Sequence, residues 1–419
     1  MVLLIVLLSC GFLLWLTSAL WNLRNAKGVI SVSAAMDYPL AERPRVSILI
    51  PARNEDRILR TSLSRFLQLD YDNYEVILVD DGSTDGTAEI AAEFLRSYPE
   101  RLRVYRVEDL PPGWVGKSHA LHTAFEAAQG DWVLATDADI EFHPKALRAG
   151  LWLAEREQAD LVSIFAYAEC VSFWEKLMMP GFSLLLATFF PFRKINDSTS
   201  SVAVASGGFI LMRRAVWAGL GGYRSIRSEM IDDLNTARIV KHSGHRIFAA
   251  ITRDLLSTRM YESFHEIWEG LRKHAFAGNR YSVAKLLVAV GGIGLTNVLP
   301  VVAMFYSAIE LYRRGAAGPG AWQMGAVFSL SCAQYYLAVG IHLPIVRYYG
   351  ISAVYALLTP LGASIYAIIS LDSMIRTLAG TGVSWKRRRY GKPIESKNGQ
   401  EPAIRSRESK SGADGRESQ

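Results

Sequence analysis

Aspartates stand directly after two short runs of strand-forming residues. The pair Asp80-Asp81 follows residues 76–79, and Asp137 and Asp139 follow residues 132–136. A carboxylate at the end of a buried strand is costly unless it meets a cation or hydrogen-bond donors. These residues therefore predict a shared site for a ligand and a metal ion, although Asp137 and Asp139 could instead cap a helix.

The elements around these aspartates alternate between strand and helix. Runs typical of strands occupy residues 46–50, 76–79, 104–107 and 132–136. Apolar residues recur at helical spacing over 58–67, and a second helix is predicted to begin at Thr87. This alternation indicates an α/β fold with a parallel sheet, in which ligands bind beyond the carboxyl ends of the strands.

Composition predicts one soluble domain with membrane anchors. Hydrophobic residues make up 50% of the 419 residues and collect at the start of the chain and after residue 282. The net charge is +6, but the basic residues lie beside the apolar segments and in the tail, and no nucleic-acid recognition motif is present. Nucleic-acid binding is therefore not expected. Cys10, Cys170 and Cys332 are too far apart to suggest a zinc site or a disulfide framework.

The first apolar segment, residues 2–21, has the length of a membrane-spanning helix. Positive charge follows it at Arg24, Lys27, Arg43 and Arg45, whereas a cleaved signal peptide would carry its charge before the apolar core. We expect an uncleaved anchor over residues 1–23. The protein would then be a multi-pass cell-membrane protein whose following domain lies in the cytosol.

Three further apolar segments form a predicted C-terminal bundle over residues 281–376. They cover residues 283–309, 322–346 and 351–375. Three crossings would place the basic run at residues 386–389 outside, against the positive-inside tendency, so one segment is expected to be re-entrant or interfacial. The sequence leaves open which one.

Two other segments differ in composition from the four predicted spans. Residues 173–193 are strongly apolar but contain charges and prolines, so they fit an amphipathic interfacial segment or a buried helix of the soluble domain equally well. Residues 391–419 are polar, with almost no large apolar side chains, and predict a disordered tail.

Four motifs in a fixed order carry a family resemblance. They are Pro51-Ala52-Arg53-Asn54-Glu55, Val79-Asp80-Asp81-Gly82-Ser83-Thr84-Asp85-Gly86-Thr87, Gly116-Lys117 and Asp137-Ala138-Asp139. Together they resemble the pattern of glycosyltransferase family 2, over approximately residues 45–280. The resemblance implies a GT-A nucleotide-sugar-binding domain over residues 44–280, an α/β fold with a parallel-rich mixed sheet flanked by helices.

The resemblance also implies how a nucleotide-sugar donor is held. The uridine pocket would be lined by Pro51, Asn54, Glu55 and Asp81 and supported by Asp80. Uracil offers donor and acceptor edges that carboxylates and backbone groups can recognise. Lys117 would approach the nucleotide, because phosphates require cationic compensation, unless it is an ordinary surface lysine.

A divalent cation, Mg²⁺ or Mn²⁺, is implied at the Asp-x-Asp element. Asp139 would be the direct ligand, and Asp137 would face the ribose or a metal-bound water. Carboxylate oxygens suit these ions. The cation would neutralise charge that builds on the departing diphosphate.

On the acceptor side, Gly207 and Gly208 resemble the floor of the family's acceptor site, where glycine permits close backbone approach. The pair Asp232-Asp233 follows, and the resemblance implies that Asp233 is the general base. An acceptor hydroxyl needs such a base, and attack opposite the leaving diphosphate inverts the anomeric carbon. The alternative is that both aspartates only begin the helix over 234–241, since acids favour that terminus.

The acceptor is expected to be a membrane lipid. The segment 111–117, with Trp114 near its centre, the Asp232-Asp233 pair and the arrangement of spans look similar to hopene-associated and carotenoid-type glycosyltransferases. This similarity implies a hopanoid, another isoprenoid or a related lipid as acceptor. Trp114 would lie on the acceptor side or only anchor its loop.

Two alternatives to a lipid glycosyltransferase stay open. A processive polysaccharide synthase would carry Gln-x-x-Arg-Trp after the base, but residues 269–276 read Glu-Gly-Leu-Arg-Lys-His-Ala-Phe. Arg272, His274 and Arg280 could replace some of its phosphate contacts or be polar surface. A non-catalytic membrane scaffold would be expected to have lost its carboxylates, and every expected carboxylate is present.

Overall fold

The computed structural model describes residues 1–314 and 318–380, and the backbone of 383–385, 388–394 and 403–407. The strands are β1 (Ser31–Val32), β2 (Val46–Ala52), β3 (Tyr74–Asp80), β4 (Leu102–Arg106), β5 (Trp132–Ala135), β6 (Glu141–Phe142), β7 (Leu161–Phe165), β8 (Tyr167–Ala168), β9 (Ile210–Arg213), β10 (Ile247–Thr252), β11 (Leu256–Thr258), β12 (Val383–Trp385), β13 (Arg388–Ile394) and β14 (Ala403–Arg407).

The helices are α1 (Val2–Ala26), α2 (Leu59–Phe66), α3 (Thr87–Ser97), α4 (Gly116–Ala127), α5 (Ala146–Arg156), α6 (Phe173–Phe189), α7 (Phe192–Ile195), α8 (Arg214–Gly219), α9 (Asp232–His242), α10 (Phe264–Gly278), α11 (Val283–Ile293), α12 (Leu299–Arg314), α13 (Ala321–Tyr348), α14 (Val354–Leu357) and α15 (Thr359–Leu378). A 3₁₀ turn covers Gly222–Ile226, and a π-helical turn, Gly294–Val298, joins α11 to α12.

A mixed eight-stranded sheet organises the soluble domain, in the order β1-β10-β7-β9-β5-β2-β3-β4. Its neighbouring strands are parallel except at β9, which runs antiparallel to both β5 and β7. A smaller sheet, β6-β11-β8, lies beside it. The predicted parallel-rich α/β fold is therefore confirmed.

Helices cover both faces of the central strands, which explains why these strands are apolar at nearly every position. In β2, Ile48 and Ile50 belong to one hydrophobic core, while Leu49 between them belongs to the other. The first core is completed by residues of α2 and α5, and the second by residues of α4 and α9. Since side chains alternate along a strand, one short segment contributes to two helical layers.

Four helical segments within the described residues are long and apolar enough to cross a membrane. They are Val2–Ala26, Val283–Arg313, Ala321–Tyr348 and Thr359–Leu378. They fall on the four predicted segments, although the last begins later than expected, with Pro360 in its first turn, where the missing N–H costs nothing. The expectation that one C-terminal segment is re-entrant or interfacial stays a prediction.

Side chains from two other spans donate hydrogen bonds to backbone carbonyl groups of the π-helical turn in the second span. Trp15 of α1 donates its indole N–H to Thr296 O at 2.9 Å. Gln334 of α13 donates to Leu295 O at 3.1 Å and to Thr296 O at 3.2 Å. Because a π-turn disturbs the regular ladder, these contacts stabilise it and pack α1, α13 and the π-turn together.

Helix α6 packs on the spans α1, α13 and α15. Ser172 and Glu175 form a capping box at its start. Leu177 and Met178 of α6 join a hydrophobic cluster with residues of α10 and with Ile369 of α15. The expected interfacial position of segment 173–193 relative to lipid stays a prediction. So does the disordered tail, because residues 391–419 lie largely outside those described.

We predict that Gly130→Ala destabilises the soluble domain. A methyl group there would lie 2.6 Å from Ser47 N, 2.7 Å from Trp132 O and 2.8 Å from Arg45 O, all backbone atoms that cannot turn away. Overpacking of this kind costs about 1–3 kcal/mol, so thermal unfolding should begin at a lower temperature. Gly219→Ala is the control, because its methyl would meet nothing within 4 Å. Equal melting temperatures for the two variants would contradict the close packing.

Candidate active site

The predicted donor pocket is built where β2 and β3 end. Asp80 lies at the end of β3, buried, and its Oδ1 accepts a hydrogen bond from Ser83 N–H at 2.9 Å. Its Oδ2 has no hydrogen-bond partner among the described residues, and Arg106 Nε lies 3.8 Å away. Asp80 therefore holds the turn after β3, and its support of a uridine pocket stays a prediction.

Hydrogen bonds join this turn to the loop after β2. The guanidinium of Arg53 donates to Asp81 O, and Asn54 N–H donates to Ser83 Oγ at 3.0 Å. Asn54 has a left-handed φ of 53°, and its side-chain oxygen accepts from Thr84 N–H at 2.9 Å. The motifs that contain Pro51, Asn54, Glu55, Asp80 and Asp81 are thus brought together. The side chain of Asn54, however, is used to join the two loops.

A second group of charges lies beyond β5. Lys117, the second residue of α4, places Nζ 2.7 Å from Asp137 Oδ1 and 3.2 Å from Asp232 Oδ2. Burial disfavours its ammonium, but the carboxylates of Asp137, Asp232 and Asp233 outweigh burial and raise the pKa of Lys117 well above its usual value. Lys117 is therefore not an isolated surface lysine; it compensates three carboxylates.

Gly207 lies between Asp137 and Asp233. Its N–H donates to Asp233 Oδ2 at 3.2 Å. A Cβ at this position would lie 2.9 Å from Asp137 Oδ2, 3.2 Å from Lys117 Nζ and 3.6 Å from Asp233 Oδ2. Gly208 is held against the end of β5 by the hydroxyl of Thr136, which donates to Gly208 O at 2.8 Å. Without a side chain at 207, residues from distant parts of the chain share one cluster, which we call the Lys117 cluster (Lys117, Asp137, Asp232 and Asp233).

Asp233 combines a structural and an electrostatic role. As the second residue of α9 it accepts a hydrogen bond from Leu234 N–H through Oδ1 at 2.7 Å, so the expectation that it begins a helix is met. Burial and the neighbouring charge of Asp232 raise the pKa of Asp233 to about 6, against the lowering effect of Lys117. A helix start thus holds a carboxylate with the proton affinity of a useful base.

Carboxylates at the end of β5 could hold a divalent ion in part. Within residues 1–314 and 318–380, no group of three or more His, Cys, Asp and Glu side chains is arranged to bind a metal. Mg²⁺ is commonly held by one or two carboxylates together with substrate phosphates and water. The partly exposed Asp137 and Asp139 fit that pattern.

Helix α10 adds two basic residues to the site. Lys273 is not predicted from the sequence, and His274 is predicted there only as a phosphate contact or as polar surface. Burial and the charge of Lys117 lower the pKa of Lys273 to about 8, although Asp232 and Asp137 act in the opposite direction. Burial, Lys273 and Lys117 lower the pKa of His274 to about 3. Lys273 and His274 therefore lie within electrostatic range of the Lys117 cluster.

The other two basic residues considered for phosphate contacts lie elsewhere. The guanidinium of Arg272 is directed to α15, where Nη1 lies 3.2 Å from Asp372 Oδ2. Arg280 is exposed, beyond the end of α10. Residues next to one another in a helix point about 100° apart, and only packing decides which of them faces the site.

Trp114 packs against the first two turns of α4. Its ring stacks on His122 at a centroid distance of 5.0 Å and meets His119 edge-on at 5.2 Å. Arg224 Nε donates to His122 Nε2 at 3.2 Å, and burial lowers the pKa of His122. These contacts match the loop-anchor interpretation of Trp114, and its acceptor-side role stays a prediction.

Comparison with known proteins identifies the fold first. The structure resembles that of the mannosyltransferase PcManGT from Pyrobaculum calidifontis, solved with GDP-Man and Mn²⁺, with a TM-score of 0.50 and 19% identity over 89% of this chain and 99% of the other. The domain therefore has a GT-A-like fold. Residues 47–220 match the sequence model of Glycosyl transferase family 2, and the chain carries a domain of that family.

Two curated relatives act on lipid-like molecules according to their names. A beta-monoglucosyldiacylglycerol synthase of Nostoc sp. is 30% identical over 197 residues, which cover 46% of this chain and 40% of the relative. A 4,4'-diaponeurosporenoate glycosyltransferase of Staphylococcus haemolyticus is 28% identical over 238 residues, 56% of this chain and 61% of the relative. The matches span less than two thirds of either relative.

We predict that Gly207→Ala abolishes most activity without unfolding the domain. Its methyl would press on Asp137 and Lys117, whose side chains can shift, so the Lys117 cluster should rearrange while the sheet persists. Turnover of a nucleotide sugar should fall at least about tenfold, as expected for small displacements at reacting groups. The melting temperature should stay near that of Gly219→Ala. Wild-type turnover in Gly207→Ala would contradict the role of this close approach.

Proposed function

We propose that the protein transfers a sugar from a nucleotide-sugar donor, a UDP-sugar on the evidence of its motifs, to a hydroxyl group of a membrane lipid. The observation that carries the proposal is the Lys117 cluster. Carboxylates predicted for donor binding and for base catalysis meet there, at the strand ends of a family 2 domain attached to candidate spans. We further propose an isoprenoid or related acceptor and an inverting, metal-dependent reaction.

Two regions of the site support donor binding. The joined loops after β2 and β3 bring Pro51, Glu55 and Asp81 to one edge, where carboxylates and backbone groups can recognise a uracil ring. The ammonium groups of Lys117 and Lys273 supply positive charge for a diphosphate. An arriving diphosphate would compete with Asp137 for Lys117, which frees that carboxylate for the ribose or a metal-bound water.

A divalent ion completes the donor site in this proposal. Asp139 would be its direct protein ligand, with Asp137 next to it. When bound, Mg²⁺ or Mn²⁺ would neutralise charge on the departing diphosphate. Lys117 and Lys273 would share that task from the protein side.

Asp233 is the proposed base. It would accept the proton of the acceptor hydroxyl as the new carbon–oxygen bond forms, on the side of the sugar opposite to the diphosphate. Hydrogen bonds from Gly207 N–H and Leu234 N–H fix its two oxygens. Since attack and departure occur on opposite faces, the anomeric carbon would be inverted.

A lipid acceptor is supported by the packing of α6 and α10 on the spans. Both helices share a hydrophobic cluster with α15, so the domain is held beside its membrane segments. The names of the two relatives refer to a diacylglycerol and to a carotenoid acid.

The basic residues after α1 favour a cytosolic domain. The absent Gln-x-x-Arg-Trp element argues against a processive synthase, and the retained carboxylates argue against a scaffold.

The proposal is tested by incubating membranes that contain the protein with radiolabelled UDP-sugars and GDP-sugars, with and without Mn²⁺, and analysing the lipid extract. We expect one labelled lipid that requires the ion, and Asp139→Ala should reduce its formation at least about a hundredfold. Asp72→Ala, at a fully exposed carboxylate, is the control and should retain activity. Unchanged product formation by Asp139→Ala would reject the metal role, and labelled polymer would favour the processive alternative.

The pKa of Asp233 predicts the acid limb of the pH profile. The carboxylate must be ionised to accept a proton, so kcat/KM should fall about tenfold for each pH unit below about 6. Asp232→Asn removes a charge that raises this pKa, so any remaining activity should show the limb at lower pH. A limb that does not move in Asp232→Asn would mean that another group limits the reaction.

A further inference from the structure

Asp372 lies near the end of span α15, where it accepts hydrogen bonds from α10 of the soluble domain. Its Oδ2 accepts from Trp268 Nε1 at 3.0 Å and from Arg272 Nη1 at 3.2 Å, and the side chain of Arg272 is only 5% exposed. Arg272 also pairs with Glu269, and Arg376 Nε donates to Asp372 Oδ1 at 2.9 Å. A buried guanidinium shared in this way fixes the position of both helices, because breaking one pair leaves a buried charge.

The next residue of α15 is bonded to the backbone of α10. Ser373 Oγ donates to Arg272 O at 2.7 Å and accepts from Phe276 N–H at 3.3 Å. In a regular α-helix this N–H and this carbonyl would bond to each other. The Ser373 hydroxyl therefore lies beside the backbone hydrogen bonds of α10, at the turn that contains Lys273 and His274.

Lys273 of that turn interacts electrostatically with the candidate active site. Lys273 lies within electrostatic range of Lys117, Asp137 and Asp232. Arg272, one residue earlier, points to the span instead. One helical turn thus carries the attachment to α15 on one face and a basic group near the Lys117 cluster on another.

We infer that Asp372 and Ser373 of α15 are positioning residues, which hold the Lys273–His274 turn where it contacts the diphosphate of the donor. The inference rests on the proposed function. Neither residue touches the reacting atoms; each acts through α10. A membrane-spanning helix would thereby set the affinity of the soluble domain for the diphosphate part of its donor.

The test compares nucleoside diphosphate with monophosphate binding by the full-length protein in lipid nanodiscs. UDP and UMP are used first, and GDP and GMP if wild type binds these instead. We expect Ser373→Ala and Asp372→Asn to weaken diphosphate binding about five- to tenfold and monophosphate binding less than about twofold. The donor KM should rise by a similar factor while kcat changes little.

Ser370→Ala is the matched control, because the Ser370 hydroxyl is also buried on α15 but donates within that helix, to Tyr366 O at 2.8 Å. It should bind both nucleotides as wild type does. Equal weakening of both nucleotides by Ser373→Ala, or no weakening, would overturn the inference. Ser373→Ala alone decides the matter if Asp372→Asn does not fold.

A double-mutant cycle separates positioning from general destabilisation. If Ser373 acts through Lys273, Lys273→Met combined with Ser373→Ala should bind the diphosphate no more weakly than Lys273→Met alone. Additive losses would contradict the coupling. Failure of wild type to bind either diphosphate, or to form a labelled lipid, would instead reject the proposed function itself.

Discussion

The ion pairs of Lys117 impose the main constraint on this fold. Asp137, Asp232 and Asp233 approach one another at a partly buried site, where three negative charges are unfavourable without a cation. Lys117 supplies that cation from the start of α4. The end of β5, the start of α4 and the start of α9 therefore meet at one point. An arriving diphosphate and metal ion would redistribute these charges. The positive ion would offset the negative diphosphate, so the electrostatic repulsion in the cluster would not rise by a comparable amount.

Gly207 allows the end of β5 to approach the starts of α4 and α9. It precedes β9, the antiparallel strand between β5 and β7, so the chain enters the middle of the sheet beside the end of β5. Its amide holds Asp233 while its missing side chain leaves room for Asp137 and Lys117. A single antiparallel strand in an otherwise parallel sheet thus brings the proposed base from α9 to the strand ends where ligands bind.

Much of this arrangement could be predicted because the signals are local. Runs of strand-forming residues followed by Asp80 or Asp137 predicted both the strands and the carboxylates at their ends. The length of the apolar segments predicted the candidate spans. The electrostatic coupling of Lys273 to the Lys117 cluster could not be predicted, since it depends on which way α10 is turned about its axis. Arg272 was one of three residues considered for phosphate contacts, but its guanidinium donates to Asp372 of the span, a hundred residues away. Long-range pairing of this kind leaves no periodic pattern in the sequence.

Helix α10 connects the junction between domain and spans to the candidate active site. Helix α10 packs through Ile267 and Leu271 on α6 and α15, and the same helix carries Lys273 toward the Lys117 cluster. If the spans only retained the enzyme at the membrane, a flexible linker would suffice, and buried polar contacts to α10 would be an unnecessary cost. Their presence at Asp372 and Ser373 supports the inference that the membrane helices position part of the soluble site.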